Sequence, residues 1–194
     1  MEIAMNDMTY VPAQPGGSPL RLSNRPVLVQ AGAVLLGTLL LALASQISVP
    51  MVPVPITMQT LAVTLIGAFY GWRLGAVTVL AWLFEAALGL PVLAGGASGL
   101  PHFMGPTGGY LFSFPIVAAL VGWLAERGWG GSRLMWSFTA MLLGNALCLV
   151  IGAAWLATLI GVERALLLGV VPFIVGAVLK SALGAAILKA CSRS

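Results

Sequence analysis

Apolar segments of about twenty residues recur along this chain and constrain its fold more than any other feature. A helix of that length spans the hydrocarbon core of a bilayer and satisfies its backbone hydrogen bonds within the segment. Only 7% of the residues are charged, whereas soluble domains carry about 25%. The sequence therefore predicts an all-α integral membrane protein, with no room for a separate soluble domain.

Six such segments can be drawn. They are Val27–Ile47, Thr57–Gly71, Leu74–Leu90, Thr107–Ala125, Leu134–Leu156 (extendable to Gly161) and Val170–Ala190. Residues 1–24 are polar, contain proline and glycine, and lack a basic leader, so they do not resemble a signal peptide. We expect residues 1–24 to form a disordered cytoplasmic tail and residues 25–194 to form a six-helix transmembrane bundle.

The basic residues predict the orientation of the bundle, because cytoplasmic loops carry an excess of Lys and Arg. With six spans, seven basic residues fall on one side and Arg164 alone falls on the other. The seven are Arg21, Arg25, Arg73, Arg127, Arg133, Lys189 and Arg193. Both termini are therefore expected in the cytoplasm.

Two uncharged loops lie on the opposite side. Ser48–Ile56 (SVPMVPVPI) contains three prolines, which keep the backbone extended. Pro91–Pro106 (PVLAGGASGLPHFMGP) is glycine-rich and long for a connection between helices. We expect these long external loops to cap a ligand cavity, although the composition of the second loop also fits a flexible connection.

Lys180 lies inside the last apolar segment, about ten residues or 15 Å from either end. An ammonium near the bilayer centre costs roughly 2.5–3.5 kcal/mol on insertion scales. That distance makes snorkelling to an interface unattractive. The side chain is therefore expected to face a polar or anionic small molecule, or to pair with Glu85 in the third segment. A ligand at this position would indicate transport or sensing, whereas pairing with Glu85 would be a structural role.

Other polar residues inside the segments are candidates for the same site. Asn145, in the fifth segment, offers donors and acceptors, but an interhelical hydrogen bond would also explain it. Gln59 opens the second segment with an amide, and Thr57 beside it could instead cap that helix. The run Gly105–Tyr110 (GPTGGY) places backbone N–H groups at the positive end of a helix dipole, which suits an anion or simply close packing.

The sequence lacks the motifs of several other functions. No GxxxxGK[ST] motif occurs, so the chain cannot hydrolyse ATP by a P-loop. The single histidine, His102, and the distant Cys148 and Cys191 indicate neither a metal site nor a disulfide framework. An enzyme acting on a lipid or prenyl chain would have only Glu85 and His102 as candidate groups. A solitary transporter without an ATPase remains an alternative, although no internal repeat is evident.

Three blocks have the order and spacing of a known family. They are Pro53–Leu61 (PVPITMQTL), Gly89–Gly96 (GLPVLAGG) and Gly105–Leu111 (GPTGGYL). Leu142–Asn145 (LLGN) and Pro172–Lys180 (PFIVGAVLK) agree as well. Through these blocks the chain resembles the BioY family, the biotin-binding substrate components (S components) of energy-coupling factor (ECF) transporters.

The resemblance implies a multi-pass protein of the bacterial cytoplasmic membrane, with biotin held near the external face. It implies a membrane coupling protein and two cytoplasmic ATPases as partners, and no nucleic acid or cofactor. Ala33 and Gly37 form a small-xxx-small pair that suits helix docking within this bundle or onto a partner. This pair resembles the surface with which S components meet the coupling protein.

The resemblance also extends to the ligand site. Lys180 matches a lysine that the family places at the ligand, whereas Ala177 and Ala97 stand where many members have an aspartate and an arginine. Other residues would then take over these polar contacts, beside an apolar or aromatic wall. The predicted biotin-binding residues are Lys180, Glu85, Asn145, Gln59, Thr57, Tyr110, Gly108 and Trp82.

Overall fold

The computed structural model describes Leu20, Leu22, residues 25–131 and residues 133–192, and these residues are mostly helical. The helices are α1 (Val27–Gln46), α2 (Gln59–Tyr70), α3 (Trp72–Ala87), α4 (Pro101–Met104), α5 (Gly108–Glu126), α6 (Leu134–Ile160), α7 (Val162–Gly169) and α8 (Val171–Cys191). Two short antiparallel strands, β1 (Ser48–Val49) and β2 (Ile56–Thr57), pair in the loop between α1 and α2. A 3-10 turn covers Ala94–Gly96. Most of the predicted tail, with Arg21 and Arg193, lies outside the described residues.

Each predicted apolar segment coincides with a helix to within a few residues. Within the described part of the chain, four helical stretches are long and apolar enough to cross a membrane: Val27–Gln46, Gly108–Glu126, Leu134–Ile160 and Val162–Cys191. The helices α2 and α3 have 12 and 16 residues, or about 18 and 24 Å at 1.5 Å per residue. Both are shorter than the hydrocarbon core of about 30 Å. The chain is therefore an all-helical membrane protein in which α2 and α3 are shorter than the hydrocarbon core is thick.

Helix α5 forms the centre of the bundle, where it packs against α2, α3 and α6. Small residues allow the backbones to approach closely. A Cβ atom added at Gly122 would lie 2.6 Å from the backbone nitrogen of Trp72. Between α2 and α3, Gly71 has a φ of 82°, a left-handed conformation that glycine adopts without strain. The chain can therefore reverse direction within one residue and place both helices against α5.

We expect Gly122→Ala to destabilise the bundle, because the new methyl group would meet rigid backbone on α3. Overpacking of this kind costs about 1–3 kcal/mol. The matched control is Gly32→Ala in α1, where an added Cβ has no neighbour within 4 Å. Alanine is the better helix former there, by about 0.5–1 kcal/mol. Thermal unfolding in detergent should therefore show a lower Tm for Gly122→Ala and an unchanged or higher Tm for Gly32→Ala. Equal shifts would contradict the close α3–α5 contact.

The small face of α1 packs on α2 and α3 of this chain. A Cβ atom added at Gly37 would lie 2.5 Å from Thr78 Cγ2 and 3.2 Å from the ring of Tyr70. The Tyr70 hydroxyl donates a hydrogen bond of 2.9 Å to the Ala33 carbonyl oxygen. The structure therefore places Ala33 and Gly37 at an intramolecular contact, where the family resemblance implied contact with a coupling protein.

Candidate ligand-binding site

A cavity of about 310 Å³ lies near the end of the bundle where α2 and α5 begin. Residues of α2, α5, α6 and α8 form its walls, and residues of the α1–α2 and α3–α5 loops complete its lining. Small-molecule sites in proteins enclose roughly 300–1,000 Å³. The cavity is therefore large enough for a compact ligand.

The ammonium group of Lys180 joins α8 to α2 across this cavity. It donates hydrogen bonds to the Thr57 carbonyl oxygen at 2.9 Å and to Thr60 Oγ1 at 2.8 Å. An ammonium has three N–H donors, so one remains available. Neither partner is charged, and the side chain is half-buried. The site therefore favours a ligand with an anionic or strongly dipolar acceptor.

Two side-chain amides extend this polar region. The Thr57 hydroxyl donates to Gln59 Oε1 at 2.9 Å, and Asn145 Nδ2 donates to the Met141 carbonyl at 3.0 Å and to Ser181 Oγ at 3.2 Å. These bonds leave Gln59 Nε2 and Asn145 Oδ1 without partners among the described residues. Among the described residues, every fully buried side-chain nitrogen or oxygen has a hydrogen-bond partner. Gln59 Nε2 and Asn145 Oδ1 are therefore not fully buried, and both residues line the cavity. The site thus combines a free amide donor with a free acceptor.

The remaining wall is largely aromatic and aliphatic. Tyr110 stacks on Phe173 with ring centroids 6.2 Å apart. Its hydroxyl donates to the Gly169 carbonyl at 2.8 Å, so the ring is the part available to a ligand. Leu111 and Leu149 also line this side. An apolar ligand ring therefore has a matching surface opposite the polar groups.

The loop between α3 and α5 is held over the cavity by three side chains. The Ser45 hydroxyl shares its one proton between the Ala42 carbonyl oxygen of its own helix at 2.6 Å and the Val92 carbonyl oxygen of the loop at 2.7 Å. Trp82 Nε1 donates to the same Val92 oxygen at 3.2 Å. Gln46 Nε2 donates to the Leu93 carbonyl at 3.1 Å. Leu93 is itself buried and lines the cavity. Helices α1 and α3 therefore fix the position of this part of the loop.

The structure brings five of the eight predicted site residues into the cavity wall. They are Lys180, Asn145, Gln59, Thr57 and Tyr110. They come from α2, α5, α6, α8 and the short strand β2. Residues distant in sequence thus converge on one small volume.

The other three predicted residues do not line the cavity. Trp82 is fully buried behind the wall, where it packs on Phe114 with ring centroids 6.2 Å apart. Gly108 begins α5, and a Cβ there would lie 3.1 Å from Trp155 Nε1. Glu85 is half-buried and is not a hydrogen-bond partner of Lys180. Lys180 therefore interacts with neutral groups of α2 and the loop before it.

The cavity also has lining residues that are not among the eight predicted ones, and Phe173, Cys148 and His102 are three of them. Phe173 and Lys180 lie on one face of α8, and Cys148 lies one turn beyond Asn145 on α6. Helical spacing around Lys180 and Asn145 would have identified both, because residues three, four and seven apart share a face. His102 also lines the cavity, but its loop position carries no such periodic signal.

A cavity with a cation, two amides and aromatic walls, inside an all-helical membrane protein, defines a membrane-embedded small-molecule-binding protein. Comparison with known proteins specifies which kind. The chain matches the BioY family over residues 20–194. It belongs to the BioY family.

Individual relatives agree over most of their length. The chain is 39% identical over 153 residues to a probable biotin transporter BioY of Pyrococcus horikoshii. The aligned region covers 79% of this chain and 90% of that protein. It is 34% identical over 167 residues to the biotin transporter BioY2 of Lactococcus lactis, with 83% and 91% covered. The crystal structure of the S-component for biotin from an ECF-type ABC transporter superposes with a TM-score of 0.77 at 26% identity, covering 86% of this chain and 92% of that one.

Proposed function

We propose that this chain captures biotin as the S component of an ATP-driven ECF transporter. The observation that carries the proposal is the cavity in which the Lys180 ammonium and the free amide groups of Gln59 and Asn145 face an aromatic wall. Membership of the BioY family supports biotin as the ligand. The chain would act by binding and presenting the vitamin, without chemical turnover.

The chemistry of biotin fits this cavity. Its ureido group has two donors and one acceptor, its thioether ring is apolar, and its valerate chain ends in a carboxylate. Asn145 Oδ1 would accept from a ureido N–H. The remaining donors of Lys180 and Gln59 would serve the ureido oxygen or the carboxylate, and Tyr110 would pack on the ring. Trp82 would act indirectly through the loop that it holds.

The proposal includes six membrane crossings in a bacterial cytoplasmic membrane, with both termini cytoplasmic. With six crossings, Arg25, Arg73, Arg127, Arg133 and Lys189 all fall at helix ends or in loops on one side, and such an excess of basic residues supports a cytoplasmic side. The cavity would then open to the outside, under the two loops. A coupling protein would meet an exposed face of α1, and two ATPases would supply the energy.

Binding of radiolabelled biotin to the purified chain tests the central proposal. We expect saturable binding below micromolar ligand, and its absence at micromolar ligand would refute capture of biotin. Uptake in cells that lack every coupling protein distinguishes the S component from a solitary transporter. An S component should give no uptake there.

Cys148 offers a direct test of where biotin binds, because it lines the cavity. Of the two cysteines, Cys191 is exposed and is removed first by Cys191→Ser. Biotin is expected to slow the reaction of Cys148 with a membrane-permeant maleimide, because the ligand fills the space in front of the thiol. Mass spectrometry measures the labelled fraction. Unchanged labelling under saturating biotin would place the ligand elsewhere.

The side-chain hydrogen bonds that hold the α3–α5 loop predict an effect on the rate of biotin release. Ser45→Ala removes the hydroxyl that bonds to the Val92 carbonyl of the loop, and such a hydrogen bond contributes about 1 kcal/mol. If the loop must open before biotin leaves, release should become about fivefold faster. Dilution of the complex with radiolabelled biotin into excess unlabelled biotin measures this rate. Thr139→Ala on α6 is the control, since the Thr139 hydroxyl bonds only within its own helix. Equal acceleration of release by both variants would argue against a role of the Ser45 hydrogen bond in holding the loop.

A further inference from the structure

Two arginine–tryptophan pairs lie at the end of the bundle opposite the cavity. The guanidinium carbon of Arg73 lies 4.9 Å from the centroid of the Trp72 ring, and that of Arg127 lies 3.5 Å from the centroid of the Trp123 ring. The pairs are neighbours, because the backbone N–H of Trp72 donates to Glu126 Oε1 at 3.2 Å. We call these five residues the Arg–Trp cluster. Both arginines and both tryptophans are exposed.

The cation–π contacts leave both guanidinium groups able to bind a further partner. A guanidinium that rests its face on an aromatic ring still directs five N–H donors outward in its own plane. Neither Arg73 nor Arg127 forms a side-chain hydrogen bond or ion pair with any residue that the structure describes. The tryptophans therefore orient the two cations without neutralising them. This planar fork matches the geometry of a phosphate group.

On α3, Arg73 stands at the end of an apolar stripe. Val77, Leu80 and Phe84 follow it at intervals of three or four residues, which places them on the same helix face. All three are exposed. In a membrane protein this stripe contacts hydrocarbon, so Arg73 lies where the apolar surface meets the headgroup region.

Helix α5 repeats this arrangement beside α3. Phe112, Ile116 and Trp123 are exposed and share the face that ends at Arg127. Since α3 and α5 pack against each other, the two stripes lie on neighbouring helices. Their charged ends meet in the Arg–Trp cluster.

We propose that the Arg–Trp cluster binds the headgroup of an anionic phospholipid. Its phosphate would lie between Arg73 and Arg127, and its acyl chains would follow the stripes on α3 and α5. Charge favours an anionic over a zwitterionic lipid. Among the described residues at this end, Glu126 is the one carboxylate, whereas Arg25 and Arg133 add positive charge nearby.

Lipid retention by the purified full chain tests this proposal. The protein is reconstituted in nanodiscs that contain phosphatidylglycerol and phosphatidylcholine with identical acyl chains, and bound lipid is identified by native mass spectrometry. Wild-type protein is expected to retain phosphatidylglycerol above its share in the mixture. The variant Arg73→Gln/Arg127→Gln should lose this enrichment. Retention of both lipids in proportion to the mixture by the wild-type chain would overturn the proposal. The cluster would then be a candidate for binding a protein partner.

A matched double variant distinguishes specific lipid binding at the Arg–Trp cluster from non-specific attraction of anionic lipid to positive charge. Arg25→Gln/Arg133→Gln removes the same charge from the same end but leaves both stacked arginines in place, so the enrichment should persist. Equal loss in the two double variants would overturn the proposal. Arg73→Lys/Arg127→Lys keeps the charge without the planar fork and should retain less phosphatidylglycerol than wild type. Tm in detergent verifies folding, and the lysine variant carries the comparison if the glutamine variant does not fold.

Discussion

Replacing Ala177 with phenylalanine is expected to abolish biotin binding. Ala177 lies on α8 three residues before Lys180, is 7% exposed and lines the cavity. A benzyl group there would project into a volume of about 310 Å³, which is near the lower limit for small-molecule sites. Equilibrium binding of radiolabelled biotin should show no saturable component. Retained affinity would mean that the ligand does not occupy this cavity.

The control for this variant is Val175→Phe. Val175 lies on the same helix two residues away and is 67% exposed, so its side chain faces the lipid side. The same aromatic group added there leaves the cavity unchanged, and biotin affinity should remain at the wild-type value. Together the two variants separate filling of the cavity from a general effect of a larger residue in α8.

Replacing Lys180 with alanine is expected to weaken biotin binding by about ten- to a hundredfold. Hydrogen bonds to charged groups contribute about 1.5–3 kcal/mol, and each 1.4 kcal/mol changes affinity about tenfold. The remaining N–H of this ammonium is the one free cationic donor among the described residues that line the cavity. Calorimetric titration measures the change in Kd.

Two comparisons guard against loss of fold as the cause. Lys189→Ala removes the same charge from the last turn of the same helix, outside the cavity, and should leave Kd unchanged. Lys180→Met keeps most of the side-chain volume without the charge and should weaken binding as alanine does. Unchanged affinity in either Lys180 variant would remove this residue from the site.

In the polar part of the cavity, some features can be predicted from the sequence and others cannot. Lys180 and Asn145 could be identified because a polar group inside an apolar segment is costly unless it has a specific partner. The partner could not be identified in the same way. Charge predicts Glu85 as the partner, yet the ammonium bonds to Thr57 and Thr60. Charge complementarity can be read locally, but the direction in which a helix face points cannot.

The contact at Gly37 illustrates the same difference. A small residue predicts close approach of another helix, and the structure has such an approach. The pattern does not specify which helix approaches, and Thr78 of α3 occupies the position. Close packing follows from side-chain size, whereas the identity of the neighbour follows from the path of the chain.

The sequence alone determined the class of protein, the positions of the helices and the presence of a cation inside the last one. These properties follow from hydropathy and charge along a continuous stretch of chain, because a bilayer acts on each segment as a solvent. Only the tertiary structure decided that Lys180 meets Thr57, a residue 123 positions earlier, and that loop residues complete the cavity around them. Such contacts depend on how helices rotate and pack against one another, and neither hydropathy nor spacing within one helix encodes that rotation.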